Sequence, residues 1–282
     1  MKIGITGSGG FIGRNLSALL KSKGYEVFGY DRVDGIDISV PGFVEDGVKL
    51  DVMVHLAGNT FIPDSFNKPF DFFKNNIDST LSVLEYCRLN NCKIIFSSTY
   101  LYGNPLYLPI DEKHPVLPHS PYTQSKKVSE DLILSYARDF GVESVILRLF
   151  NLYGAGQKGD FLIPTIIRQL ENKVVSLKDP APKRDFINVE DVCRAFASAI
   201  ENSFEQPEIF NIGYGESYSI GNLIDIINRN LPHPVKTEFS NERRPNEIMD
   251  VVADTSKANK LLNWKPEISL EDGIKQILAN HE

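Results

Sequence analysis

A chain of 282 residues has room for one large α/β domain, or a large domain with a small companion. Its formal net charge of −7 argues against a nucleic-acid or anionic-membrane surface as partner, so any anionic ligand has to be held by local basic groups. Three cysteines (Cys87, Cys92 and Cys193) lack metal-ligand spacing, and their low, odd number suits a reducing compartment. No apolar run approaches the roughly 20 residues of a membrane span, and Met1-Lys2 leads straight into a short apolar strand without a signal peptide. The expectation is a cytoplasmic protein with no metal site, no membrane and no nucleic acid.

In chain order, Lys2-Ile3-Gly4-Ile5-Thr6 reads as a strand, Gly7 to Gly13 as a glycine-rich turn, and Arg14 to Lys23 as an amphipathic helix. Strand, turn and helix make the first unit of a dinucleotide-binding fold. Gly7, Gly10 and Gly13 let the backbone approach a pyrophosphate, and the free amides around Phe11 and Ile12 face its charge. Tyr25 to Tyr30 is the second strand and ends in Asp31, about 18 residues past Gly13, where a carboxylate bonds ribose hydroxyls and repels a 2′-phosphate. That favours NAD over NADP, with Arg32 able to soften the preference. Asp37-Ile38 is expected to end a short third strand near the adenine.

Asp51 to Gly58 is a buried strand closing on Leu56, Ala57 and Gly58, small enough for a cofactor to pass, with His55 expected as a satisfied strand histidine. Pro69 to Leu89 is helical in pattern, and its Asn76 could reach the strand ends or face water. Cys92 to Phe96 is a strand leading to Ser97-Ser98-Thr99-Tyr100, and side chains at a strand's C-terminal end sit where ligands bind in open α/β sheets. After a proline-rich loop, Ser120-Pro121 caps and starts a helix carrying Tyr122 and Lys126 on one side. A lysine beside a phenol favours the phenolate, a route to a base near neutral pH. Taken alone the pair is weak, since roughly one Tyr-x-x-x-Lys is expected by chance in such a chain. Val142 to Phe150 is a further buried strand, ending in Asn151.

The ordered set Gly7-x-x-Gly10-x-x-Gly13, Asp31, His55-Leu56-Ala57-Gly58, Ser98, Tyr122-x-x-x-Lys126 and Arg148-Leu149-Phe150-Asn151-Leu152-Tyr153-Gly154 resembles the extended short-chain dehydrogenase/reductases, specifically the nucleotide-sugar epimerase/dehydratase group. Lys183 to Val192, Phe210 to Gly215, Arg244-Pro245-Asn246-Glu247 and Asn263-Trp264-Lys265-Pro266 continue the resemblance nearly to the end of the chain. It implies a doubly wound parallel α/β sheet of Rossmann type binding NAD (residues 1–153 plus about 184–213). An interleaved, smaller lobe (about 154–183 plus 214–282) would bind a nucleoside diphosphate sugar. It also implies a homodimer paired through the helices near Pro69–Leu89 and Pro121–Phe140.

By the same resemblance Tyr122 is the base at a sugar hydroxyl, usually at C4, and Ser98 bonds the reacting oxygen. Lys126 holds the nicotinamide ribose and lowers the Tyr122 pKa as its largest tuning effect. Ser98, Thr99, Tyr100, Asn151, Arg184, Arg244 and Glu247 are the substrate-side candidates. Without the motif, Arg184 would read as a partner of Asp185 and Arg244 as a solvated cation beside Arg243. The departures are informative. Thr99 and Tyr100 stand where 4,6-dehydratases carry an Asp-Glu pair, and Asn246-Glu247 replaces the commoner Gly-Asp. The expectation is an NAD-dependent nucleotide-sugar 4-epimerase. A 4-ketoreductase with the same triad is the alternative, and a dinucleotide-sensing regulator a distant third.

Overall fold

The computed structural model describes residues 1–45, 47–157, 161–243 and 247–279. The chain begins with β1 (Lys2–Thr6), α1 (Phe11–Ser22), β2 (Glu26–Tyr30) and β3 (Val52–His55). It continues with α2 (Ile62–Asn67), α3 (Pro69–Asn90), β4 (Lys93–Thr99), α4 (Pro121–Phe140) and β5 (Ser144–Leu149). Next come β6 (Asn151–Tyr153), α5 (Leu162–Leu170), β7 (Val174–Leu177), β8 (Lys183–Asn188), α6 (Val189–Glu201) and β9 (Glu208–Ile212). The described residues finish with β10 (Ser217–Ser219), α7 (Ile220–Arg229), β11 (Lys236–Phe239), α8 (Ser256–Leu262) and α9 (Leu270–Ala279).

Among the described residues, six strands pair in parallel in the order β2-β1-β3-β4-β5-β9. Alternate side chains of a strand point to opposite faces, and parallel sheets are covered on both. Hence Ile3, Ile5, Val52, Val54, Ile95, Val145 and Leu147 pack with α1 and α6, while Met53, Ile94, Phe96 and Ile146 pack with α3 and α4. Near-continuous apolar runs in the sequence are the signature of this two-sided burial. The reversal of winding falls between β1 and β3, whose C-terminal ends therefore open a crevice of the kind that holds ligands in doubly wound sheets.

The third strand expected at Asp37-Ile38 is absent, and β2 is the sheet edge. Turn chemistry wins there. The Asp37 carboxylate accepts from the Ser39 amide at 3.0 Å and the Ser39 hydroxyl at 2.7 Å, an Asx turn that keeps the chain from extending.

After β5 the chain builds a second layer. β6, β8 and β10 form one small sheet and β7 with β11 another. Amphipathic α5 and α7 bury Ile163, Ile166, Ile167, Leu223, Ile224 and Ile227 against Phe186, Leu270 and Ile274. Between β8 and β9 the chain returns to the main sheet, where α6 packs beside α1. Asp185 locks the return: buried, it accepts from the amides of Tyr214 (2.6 Å), Gly215 (2.9 Å) and Ala253 (3.0 Å). It is therefore not the partner of Arg184.

Candidate active site

A cleft of about 1580 Å³ runs from the glycine turn, across the ends of β3, β4 and β5, to the second layer. Single drug-sized ligands occupy roughly 300–1,000 Å³, so this cleft has room for two nucleotide-sized molecules side by side. Its walls carry Gly7, Gly10, Phe11, Ile12, Gly13, Asp31, Arg32, Ile38, Leu56, Ala57 and Gly58 at one end. Ser98, Thr99, Tyr100, Tyr122 and Lys126 stand in the middle, and Asn151, Arg184 and Glu247 at the other end. Asp37 does not border it.

The first end fits a dinucleotide on its own geometry. Gly7 has φ +70°, and a Cβ there would meet the Ala57 amide nitrogen at 2.9 Å; a Cβ on Gly13 would lie 2.2 Å from the Gly7 carbonyl. Only glycine permits the turn to fold this tightly onto β3. α1 begins at Gly10 without a side-chain cap and without an acidic residue in its first turn, so its leading amides are left for an anion. The Asp31 carboxylate accepts from the Gly9 amide at 2.9 Å and the Val33 amide at 3.1 Å, fixed at the end of β2 with acceptor capacity to spare. Arg32 reaches Asn75 at 3.2 Å. Asn76 is buried rather than facing the cleft. Its side chain accepts from the Asn59 amide at 2.7 Å and donates to the Ser125 hydroxyl at 2.8 Å, pinning the loop after β3 to α4.

In the centre, α4 starts as the sequence predicts. Ser120 Oγ accepts from the Thr123 amide at 3.1 Å, Thr123 Oγ1 accepts from the Ser120 amide at 3.0 Å, and Pro121 occupies the first turn. Tyr122 and Lys126 share the inward side, both nearly buried. Lys126 Nζ donates to the Ser97 carbonyl at 2.9 Å and lies 4.6 Å from the centroid of the Phe96 ring. Burial draws Lys126 down to about 8, opposed by the Glu130 carboxylate. Burial pushes Tyr122 up to about 12, with a hydrogen bond from Thr99 pulling the other way. The expectation that Lys126 is the dominant influence on the phenol is therefore not met. Desolvation of a phenolate is the larger effect here, and the ammonium is occupied by a carbonyl.

Two neighbouring hydroxyls at the end of β4, Ser98 and Thr99, border the cleft. Ser98 donates to Glu130 Oε1 at 2.6 Å while itself bordering the cleft, and the Thr99 hydroxyl bears on the Tyr122 phenol. Successive strand residues alternate faces, so Ser98 and Thr99 meet different neighbours although both border the cleft. His55 is the satisfied strand histidine expected, between Thr6 Oγ1 (2.7 Å) and Thr80 Oγ1 (3.2 Å). Burial, and then Lys126, hold its pKa down to about 3.

At the far end Tyr100 stacks on Phe150 with centroids 5.5 Å apart. Asn151 Nδ2 donates to the Asp185 carbonyl at 3.4 Å. Arg184 pairs with Glu247 and donates to the Ile248 carbonyl at 2.7 Å, so two substrate-side candidates meet each other. Arg244 lies outside the described residues. Sequence reasoning missed His119, Asn104 and the edge-on pair Phe61–Phe161, which also border the cleft. Only three-dimensional placement singles them out. Burial, and then Arg184, lower the His119 pKa.

The sequence model described as the NAD dependent epimerase/dehydratase family matches residues 3–213. The UDP-glucose 4-epimerase of Corynebacterium glutamicum is 30% identical over 301 residues, covering 95% of this chain and 91% of that one. Among solved structures, UDP-glucose 4-epimerase with UDP-glucose from Thermotoga maritima is similar at 26% identity and TM-score 0.88, covering 99% of this chain and 98% of that chain. RMD from Pseudomonas aeruginosa complexed with NADPH is similar at 25% identity and TM-score 0.90, covering 100% of this chain and 98% of that chain. The family match spans the glycine turn, the Tyr122–Lys126 helix and the last strand of the sheet: this chain belongs to the NAD-dependent epimerase/dehydratase family of extended short-chain dehydrogenase/reductases.

Proposed function

We propose that this protein is an NAD-dependent nucleotide-sugar epimerase that inverts C4 through a transient 4-keto sugar. The observation that carries the reading is one cleft with a dinucleotide cradle at one end, Arg184 at the other, and Tyr122, Thr99 and Lys126 between them. Gly7, Gly10, Phe11, Ile12, Gly13, Asp31, Leu56, Ala57 and Gly58 would hold NAD, with Tyr122 and Lys126 beside its reactive end. NAD, when bound, supplies the hydride acceptor and donor and a positive charge near the phenol.

The chain's own residues supply position and proton transfer. As the phenolate, Tyr122 would take the C4 hydroxyl proton on oxidation, and as the resulting phenol it would return that proton on reduction. Thr99 holds the reacting oxygen, and Lys126 supplies fixed positive charge below the phenol. Arg184, released from Glu247 or shared with it, meets the diphosphate, and a guanidinium fork suits phosphate oxygens. Tyr100 offers an apolar wall where a dehydratase would need an acid, which supports epimerisation over loss of water. Within this reading residues 1–153 and 184–213 serve the cofactor, while 154–183 and 214–282 serve the nucleotide sugar. Two copies pair through α3 and α4, in the cytoplasm.

The test is a panel of UDP-, dTDP-, GDP- and CDP-sugars and 4-keto sugars. The reading expects isomer formation with no net change in NADH. Stoichiometric consumption of NADH or NADPH with a 4-keto substrate would mark a ketoreductase instead.

A further inference from the structure

Behind the reacting pair lies a buried charge pair for which neither the proton transfer nor cofactor binding gives a use. Arg148 on β5 and Glu130 on α4 are 4% and 1% exposed, and Arg148 Nη2 and Nε donate to the two carboxylate oxygens at 2.6 and 3.0 Å. The pair does not stand alone. Glu130 Oε1 also accepts from Ser98 Oγ at 2.6 Å, and Arg148 Nη1 donates to Tyr102 Oη at 3.0 Å. Tyr102 in turn donates to Asn211 Oδ1 at 2.5 Å, and Asn211 Nδ2 donates to the Ile110 carbonyl at 2.9 Å. The chain of bonds ties the end of β4 to α4, β5 and β9.

A buried ion pair is a poor way to gain stability, because well-packed apolar groups of the same size often do as well. Its place in the fold is more informative. Glu130 lies four residues past Lys126 on the same helix, and i, i+4 side chains are neighbours. The groups packed around Lys126 can be taken element by element. α4 presents Tyr122 and Glu130, β3 presents neutral His55, and β4 presents the Ser97 carbonyl and the Phe96 ring. α3 presents the uncharged Asn76, and β5 presents Arg148 behind Glu130. Glu130 is the carboxylate one helical turn past this ammonium, held by the Ser98 hydroxyl while Lys126 is held by the carbonyl of the adjacent Ser97.

We propose that the Glu130–Arg148 pair is a positioning device for the reaction: Glu130 provides the counter-charge that keeps Lys126 an ammonium, and Arg148 fixes that carboxylate in place. This inference rests on Tyr122 and Lys126 being the reacting pair.

The test is the pH profile of kcat for the full-length NAD-loaded enzyme with Glu130→Gln, alongside the double variant Glu130→Gln/Arg148→Gln, which leaves no orphaned guanidinium if the single variant folds poorly. A nearby opposite charge moves a pKa by roughly 1–3 units. Removing the carboxylate therefore brings the alkaline limb to lower pH by roughly one unit in both variants. The shift is larger in the single variant, where Arg148 then repels Lys126. A merely structural role lowers stability, or lowers kcat equally at every pH, and leaves the limb where it was; an unmoved limb in the two variants overturns the proposal. Tyr122→Phe separates the layers. If it keeps turnover, the reacting pair itself is misassigned. If it is inactive and the limb stays fixed, only the role of Glu130–Arg148 falls.

Discussion

Two neighbouring hydroxyls at the end of β4 make opposite predictions. Ser98 donates to a buried carboxylate, and Thr99 meets the phenol. Thr99→Val keeps the shape and removes one polar group from the reacting oxygen. Loss of a single preorganised donor at a developing oxyanion costs roughly 10²–10³-fold in kcat. Because Thr99 is only partly buried, the lower end, about 10²-fold, is expected, with little loss of stability. Ser98→Ala removes a hydrogen bond to an ionised, fully buried acceptor, a type worth about 1.5–3 kcal/mol. It should lower the unfolding free energy by that amount while leaving kcat within about tenfold. The assays are steady-state turnover of the sugar nucleotide identified by the panel, and urea denaturation followed by far-UV circular dichroism. The reasoning is refuted if Ser98→Ala abolishes turnover at unchanged stability while Thr99→Val stays active.

Three further outcomes are expected. Tyr122→Phe should lose at least about 10³-fold in kcat with NAD affinity nearly unchanged, since only the proton-carrying oxygen is removed; isothermal titration and turnover check both halves. Asp31→Ala should weaken NAD by about tenfold and NADP by less, because the carboxylate both orders the glycine turn and repels a 2′-phosphate; equal losses would show the ribose reading to be wrong. His55 has a folded pKa of about 3 against an ordinary value of 6.5, so between these pH values the unfolded chain binds the extra proton. Stability then rises with pH across that window, and on acidification below about 6 His55 contributes a loss of roughly 1.4 kcal/mol per pH unit. His55→Gln, measured by denaturation at pH 5 and pH 7, should flatten that part of the slope.

What could be read from sequence was local chemistry with a fixed spacing. The glycine turn, the Ser120-Pro121 helix start and the two-faced apolar strands are each dictated within a few residues, and each stands where expected. The misses are cases where a distant partner decides. Ser98 and Thr99 both border the cleft, and no sequence pattern reports that the buried Glu130 on α4 takes the Ser98 hydroxyl. Arg184 sits beside Asp185 in sequence but pairs with Glu247, because three backbone amides claim the aspartate. Glu130 and Arg148 meet across α4 and β5, which no periodicity reports. Asp37 failed for a local reason: its own Asx turn takes the chain out of the extended conformation a strand needs.

The central claim is that hydride leaves C4 and returns to C4 within one cleft. It is tested most directly by turning over a nucleotide sugar carrying deuterium at C4 and analysing the product by mass spectrometry and NMR, with absorbance followed at the wavelength of reduced NAD. The account predicts a C4-inverted product that keeps its deuterium, with no accumulation of reduced cofactor. Deuterium lost to solvent, or reduced cofactor accumulating in step with product, would contradict it.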